Sequence, residues 1–160
     1  MARHADVFAV LRVFDPSGKE VVFQGALDPH TPVGQGWLRA SHRKLDAQLS
    51  RPYRPYHTHD EKQPLVPGQP VELDIELWPT SIVVPKGHRI ALTVRGRDYE
   101  WGKATGTRLS NFKNELRGCG PFLHDDPRDR PVAIFGGRTT LHVGPKQQSY
   151  VMVPVVPEKR

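Results

Sequence analysis

Prolines and glycines divide this chain into short segments, and that division limits its fold more than any other feature. The 160 residues include 16 prolines and 14 glycines. Clear tight-turn signals are Asp15-Pro16-Ser17-Gly18 and Pro67-Gly68, since proline fixes φ and glycine tolerates a positive φ. Long helices do not fit between such breakers, so the sequence predicts short strands joined by turns.

Between the turns, apolar and polar residues alternate, which is the pattern of a half-buried strand. The alternation is cleanest in Val71–Trp78, where odd-numbered positions are apolar and Glu72, Asp74 and Glu76 lie between them. Similar patterns, or runs rich in strand-forming residues, predict further strands at Asp6–Phe14, Lys19–Gln24, Trp37–His42, Ile82–Val84, His88–Gly96, Val132–Phe135, Thr139–Val143 and Tyr150–Val155.

About eight short strands with almost no amphipathic helix indicate an all-β fold. The predicted architecture is an antiparallel β-sandwich of the jelly-roll type, formed by residues 1–160 as a single domain. The alternating pattern is lost between residues 97 and 131. We therefore expect a long irregular loop there, with a helical turn near Asn111–Arg117.

Charge and composition exclude several classes of protein. The net charge is +6, but lysines and arginines are dispersed and never form a run of five, so we expect no nucleic-acid partner. No stretch approaches the ~20 apolar residues of a membrane span, and the N-terminus lacks the apolar region of a signal peptide. The single cysteine, Cys119, excludes an internal disulfide. These features predict a cytoplasmic protein that does not enter a membrane.

Motifs for catalysis are missing from the sequence. It contains no G-x-S-x-G nucleophile elbow, no P-loop and no G-x-G-x-x-G, so we expect neither a serine hydrolase complete in itself nor a nucleotide site. His57-x-His59-Asp60 and His124-Asp125-Asp126 resemble metal ligands, but no third ligand follows at a recognisable spacing. We expect no metal and no cofactor; a metalloenzyme using His57 and His59 stays an alternative.

The segment Gly36–Glu61 is the most informative part of the chain. It ends as a dense loop of arginine, histidine and tyrosine held between prolines, and loops of this length are usually functional or disordered. Trp101 belongs to a second irregular region and is a candidate for a pocket. The candidate cleft or interface residues are Trp37, Arg39, His42, Arg43, Arg54, Tyr56, His57, His59, Asp60 and Trp101. A competing interpretation is that PYHTHD only fixes its own loop.

Three motifs in this region, GWLRASHR, PYHTHD and WPTS followed by GHR, carry a resemblance to a known family. The chain resembles the C-terminal domain of the Xaa-Pro dipeptidyl-peptidase and cocaine-esterase-like (CocE/NonD) hydrolases. The similarity is closest over residues 26–101 and weaker beyond Trp101. It implies a galactose-binding-like jelly roll joined to an α/β-hydrolase domain, which carries the catalytic serine, aspartate and histidine.

The resemblance therefore implies a non-catalytic domain of an acyl esterase or dipeptidyl-peptidase. Such a domain shapes the substrate cleft and makes domain or subunit contacts, including contacts in a homo-oligomer. The alternative is a stand-alone jelly roll that binds a carbohydrate or another ligand through its aromatic residues. Family members also have a strand before the equivalent of Asp6. We expect that a chain lacking it is either a fragment of a larger hydrolase or a truncated reading frame expressed alone, with marginal stability or self-association in isolation.

Overall fold

The computed structural model describes residues 4–102, 116–120 and 123–157. Its strands are β1 (Asp6–Phe14), β2 (Glu20–Val21), β3 (Gly34–Arg39) and β4 (Arg89–Arg95). A 3-10 helix, Ala40–His42, follows β3, and one short α-helix, α1, spans Val132–Phe135. The described strands form one antiparallel sheet. The all-β prediction is confirmed, whereas the jelly-roll strand order stays a prediction.

Strand β1 lies in the middle of the sheet. One edge of β1 pairs with β4, and the other edge pairs first with β3 and then, at its end, with β2. Residues 7–11 of β1 are all buried, as expected for a strand with apolar residues on both faces. The register places Leu11 opposite both Gly34 and Leu92. The predicted bounds of β1 are confirmed.

The turn after β1 also follows the prediction. The amide of Gly18 donates to the carbonyl of Asp15 at 3.0 Å, and Gly18 has φ of 87°. The Asp15 carboxylate accepts from the amides of Ser17 and Lys19, both at 2.9 Å. The Asp15 carboxylate therefore pairs with the backbone amides of the turn, and Gly18 supplies the positive φ that the turn requires.

Residues 71–84, which we call the flanking segment, correct the clearest strand prediction. Neither Val71–Trp78 nor Ile82–Val84 forms a strand, although burial alternates as expected, with Leu73, Ile75 and Leu77 less exposed than their acidic neighbours. The segment runs beside β3 with a backbone bond from the Trp78 amide to the Gln35 carbonyl at 3.0 Å. The alternating sequence pattern thus correctly predicted which side chains are less exposed. A strand, however, also requires a continuous ladder of backbone hydrogen bonds.

Leu77, Ile82 and Val84 of the flanking segment pack against a core cluster formed by Leu11, Val13 and Val33. Gly36 of β3 permits this approach, because a Cβ there would lie 1.9 Å from the Glu76 carbonyl oxygen. Hence the close packing of the flanking segment against β3 depends on a glycine whose side-chain space is occupied by the backbone of Glu76.

Other strand predictions need correction. The strand predicted at Trp37–His42 begins earlier, at Gly34, and ends at Arg39. Val132–Phe135 is helical, with amides of Phe135 and Gly136 bonded to the carbonyls of Pro131 and Val132; four apolar residues cannot distinguish helix from strand. Of Lys19–Gln24, only Glu20–Val21 forms a strand.

The C-terminal segments Thr139–Val143 and Tyr150–Val155 are also not strands. Their side chains are exposed, with Val143 at 73% and Val155 at 81%. Strand formation depends on a pairing partner as well as on propensity, and no ladder joins these segments to the described sheet. The strand predicted over His88–Gly96 is confirmed as β4, whereas the helical turn expected near 111–117 falls largely outside the described residues.

The close approach at Gly36 can be tested by adding one methyl group. Gly36→Ala would push Glu76 and its neighbours away from β3, and we expect a loss of about 1–3 kcal/mol in the free energy of unfolding. Gly96→Ala is the matched control, since nothing lies within 4 Å of a Cβ there. Urea unfolding measures both; equal stability of the two variants would contradict the described packing.

Candidate functional site

An open cleft of about 480 Å³ lies where β1 and β3 meet the loop after β3 and the flanking segment. The wall from the sheet includes Asp6 and Phe8 of β1 beside Trp37 and Arg39 of β3, because the register places these residues in opposing pairs. The other lining residues come from four different parts of the chain and are Leu38, His42, His57, His59, Glu76, Trp78, His124 and Asp129.

Arg39 holds the acidic side of the cleft in place through two carboxylates. Its guanidinium donates to Asp6 at 2.9 and 3.1 Å and to Asp129 at 3.0 and 2.7 Å. Hydrogen bonds to Asp129 and then Asp6 raise the pKa of Arg39, and the same contact with Arg39 lowers the pKa of Asp129. Arg130 adds a contact to Asp6 at 2.9 Å. The network ties β1, β3 and residues 129–130 together.

Three aromatic side chains and His124 form the apolar wall. The Trp37 and Trp78 rings lie 5.4 Å apart at 51°, and His124 lies 4.7 Å from Trp37 and 5.5 Å from Phe8. Asp98, which is buried, accepts at 2.8 Å from Nδ1 of His124 and at 2.7 Å from its backbone amide. Because an ionised carboxylate can only accept, Nδ1 carries the proton, and Nε2 is an acceptor in the neutral ring.

The loop after β3 brings three histidines to the cleft. Nδ1 of His42 lies 3.3 Å from Nδ1 of His59, so one ring donates and the other accepts. His59 is the non-glycine residue with positive φ (54°) in the described part of the chain, a conformation that is uncommon outside glycine. This backbone turn places the His59 ring against His42 and near His57, 6.1 Å away.

Burial lowers the pKa of His42 and His57, and the neighbouring charge of His59 lowers both further. Arg39 and Lys62 act on the pKa of His42 in the same direction, while Asp6 opposes them. Asp74 and Glu76 oppose the lowering at His57. The rings of His42 and His57 are therefore held neutral over a wider pH range than a free imidazole, and Nε2 of His57 is buried without a described partner.

Four of the predicted residues lie outside the cleft lining and form or extend the loop. Arg43 donates to the carbonyls of Ala40 and Gln63, and Asp60 accepts from Lys44 at 3.0 Å. Arg54 and Tyr56 are exposed. The loop that contains PYHTHD thus fixes itself with some residues and lines the cleft with others, so both interpretations of this segment describe part of its geometry.

Trp101 lies apart from the other predicted residues. It stacks on His30, with ring centroids 5.7 Å apart and planes 7° apart, and it does not line the cleft. Its surroundings are held by Asp28, whose carboxylate accepts from the amides of His30, Gly118 and Gly120 at 2.9, 2.6 and 3.2 Å. The structure gives Trp101 a stacking partner near this buried carboxylate.

The cleft therefore unites five of the predicted residues, namely Trp37, Arg39, His42, His57 and His59. Sequence reasoning did not select Asp6, Phe8, Leu38, Glu76, Trp78, His124 or Asp129 as cleft residues. A signal existed for Asp6, because its charge complements Arg39 across the β1–β3 pair, but reading it requires the register. The sequence singled out His124 only as a possible metal ligand, and Trp78 only as the end of a predicted strand.

Two other interpretations can be compared with this geometry. Among residues 4–102, 116–120 and 123–157, no three side chains of histidine, cysteine, aspartate or glutamate are grouped so that they could hold a metal ion. The rings of Trp37 and Trp78 are inclined rather than coplanar, so they do not make the flat platform expected for stacking a sugar ring.

In the same described ranges, no helix has the length and apolarity needed to cross a membrane.

The structure is that of an all-β domain whose antiparallel sheet carries an open cleft lined by aromatic rings and histidines. Residues 2–152 match the X-Pro dipeptidyl-peptidase C-terminal non-catalytic domain, and the chain belongs to this family. Two crystal structures of a CocE/NonD family hydrolase from Staphylococcus aureus share its fold, with a TM-score of 0.60 and 27% identity. The similarity covers 78% of this chain and 22% of that hydrolase.

Relatives from Mycobacterium bovis and Mycobacterium tuberculosis, both named as serine esterases, are 35% identical over 103 residues. This region is 59% of the chain but 16% of each relative. The chain thus corresponds to a small part of the hydrolases that it resembles, and the similarity to the C-terminal domain inferred from GWLRASHR and PYHTHD is confirmed.

Replacing His59 tests the electrostatic coupling of the histidines. In His59→Gln we expect the pKa of His42 to rise, because one neighbouring charge is removed, but to stay below its ordinary value, since burial persists. A folded-state pKa below the unfolded value means that stability falls as the pH drops through the unfolded pKa of His42; this fall should be shallower in the variant. NMR titration of ring protons measures the pKa. His30→Gln is the control, and an unchanged His42 pKa in His59→Gln would contradict the coupling.

Proposed function

We propose that this chain works as the C-terminal domain of an α/β-hydrolase-type acyl esterase or Xaa-Pro dipeptidyl-peptidase, with its cleft facing the catalytic domain. Family membership supports the type of parent protein. The observation that carries the role of the cleft is its construction: side chains from distant segments are fixed around an open volume by the Arg39 network and the Asp98–His124 pair. Rigid, partly apolar walls of this kind are suited to receive a segment of another domain.

The catalytic nucleophile belongs, in this proposal, to the α/β-hydrolase domain. Ser41 is the serine to consider as a competing nucleophile, because it directly precedes His42 in the chain. Its hydroxyl is buried and has no described hydrogen-bond partner. The neighbouring rings, however, pair with each other through the Nδ1 atoms of His42 and His59. No described hydrogen bond connects Ser41 to either ring, so nothing here activates the hydroxyl.

The proposal extends to location and assembly. A cytoplasmic location is supported by the single cysteine, Cys119, which is buried and free, since disulfides are rare in that compartment. Contacts between copies are supported by the exposed apolar side chains of Ile90, Leu92 and Val94, which share one face of β4, because contiguous apolar patches often mark interaction surfaces. Sizing of the purified chain at several concentrations tests self-association; a monomer at all of them would contradict it.

An activity assay separates the accessory role from independent catalysis. We expect the purified chain to hydrolyse p-nitrophenyl acetate no faster than a denatured sample, because its sequence has no nucleophile elbow and no hydrogen bond in the described ranges joins a serine hydroxyl to a histidine ring. Ser41→Ala should leave this background unchanged. Turnover well above background that disappears on changing one serine would overturn the proposal.

A second experiment tests the role of the cleft. The chain is joined to the α/β-hydrolase reading frame adjoining its gene, and Trp78→Ala is compared with Tyr53→Ala, which alters an exposed aromatic outside the lining. We expect Trp78→Ala to lower kcat/KM by about tenfold or more, as for loss of a buried aromatic contact, with Tyr53→Ala unchanged. Absence of such a reading frame, or equal effects of the two changes, would refute the proposal.

A further inference from the structure

The cleft contains more negative than positive charge. Its lining includes the carboxylates of Asp6, Asp129 and Glu76 but the guanidinium of Arg39 alone. Arg39 pairs with Asp6 and Asp129, and Arg130 adds a second cation to Asp6. Two cations therefore balance two carboxylates. In the described part of the chain no cation forms an ion pair with Glu76, so this carboxylate is the charge in excess.

Aromatic rings flank the same volume. Trp37 and Trp78 meet at 51° and form two inclined sides of the cleft, and 46% of Trp78 is exposed. The surroundings already show how rings here hold cations, since Arg130 lies 5.2 Å from the centroid of Phe8 and Arg39 lies 4.8 Å from that of Phe135. An indole attracts a cation more strongly than a phenyl ring does.

The histidines supply acceptor nitrogens to this environment. Burial keeps the pKa of His42 and His57 low, so near neutral pH these rings bring lone pairs and no positive charge. Nε2 of His57 is buried without a described partner. In each neutral ring one nitrogen donates and the other accepts, and the accepting nitrogen is satisfied by an N–H donor.

We propose that the cleft binds an organic cation, an ammonium or a guanidinium group, with Trp37 and Trp78 against its apolar surface and Glu76 opposite its charge. Two sources carry this chemistry: the side chain of a lysine or arginine, and the free amine of a chain N-terminus. The site needs only residues of this chain. The proposal is therefore independent of the hydrolase role, and either one can fail without the other.

The test follows the indole N–H signals of the three tryptophans by NMR during titration with n-butylammonium at pH 7.5. Trp37 and Trp78 should shift saturably, while Trp101, which stacks on His30 outside the cleft, serves as an internal control. Butan-1-ol is the neutral counterpart of similar size. We expect it to bind at least about fivefold more weakly, as the loss of a cation–π contact implies. Equal binding of the alcohol would overturn the proposal.

Charge variants then locate the site. Glu76→Gln should weaken n-butylammonium binding by about two- to fivefold, the scale of one ion pair in a partly screened site. Glu72→Gln removes the same charge from another exposed position of the flanking segment and should leave binding unchanged. Dispersion of the backbone amide signals verifies folding of each variant. Equal weakening by both changes would show attraction by general charge alone and would overturn the assignment to the cleft.

The source of the cation is distinguished with two probes of similar charge. N-acetyl-lysine methylamide carries its cation on a side chain, whereas alanine methylamide carries it on a free N-terminus. Tighter binding of the lysine derivative assigns a docked side chain as the occupant, and tighter binding of alanine methylamide assigns a chain terminus. Failure of both to shift Trp37 and Trp78 would contradict the proposed site.

Discussion

The contact between Arg39 and Asp6 is the interaction on which the cleft depends. It joins opposite members of the β1–β3 pair, and Asp6 is almost fully covered, with 8% of its side chain exposed. A covered carboxylate requires a partner, and the fixed fork of a guanidinium can bond two carboxylates at once. Arg39 therefore holds Asp129 as well, and this brings residues 123–130, including His124, against the sheet. This bridge acts together with the Arg130–Asp6 contact and the Asp98–His124 hydrogen bonds to hold the apolar wall beside the sheet.

The parts of the fold that sequence predicted well are those decided locally. β1 and β4 contain their own apolar patterns, and the turn between β1 and β2 contains both the aspartate and the glycine that it needs. Residues 71–84 show where local information ends. Their alternation correctly predicts which side chains turn inward, but whether backbone groups form a ladder depends on the neighbouring strand. Gly36 determines how close that neighbour comes, and its role cannot be read from the flanking segment itself.

The difference between local and tertiary information also explains which cleft residues could be predicted. His42, His57 and His59 could be selected because they are close together in the sequence, and a segment rich in histidine and arginine is recognisable there. Phe8, Glu76 and His124 join them only through tertiary packing, from positions far apart in the chain. The resemblance to the hydrolase family contributed what local patterns could not, since it indicated a domain that is joined to a separate catalytic domain. It did not indicate which residues would meet around the cleft.

Strand register separates the cleft from the exposed apolar side chains of β4. Asp6 and Phe8 line the cleft, and side chains at alternate positions of β1 lie on opposite faces. Leu11 and Val13 lie on the other face, together with Leu92 and Ile90, their partners on β4. Leu11 and Val13 are buried, whereas Leu92 and Ile90 are 43% and 52% exposed. A cation in the cleft and a cover over β4 would therefore occupy different faces of one sheet. They could influence each other through β1, which is buried on both sides and leaves little room for movement, and through the flanking segment, in which Leu77 packs against the Leu11 cluster while Trp78 lines the cleft.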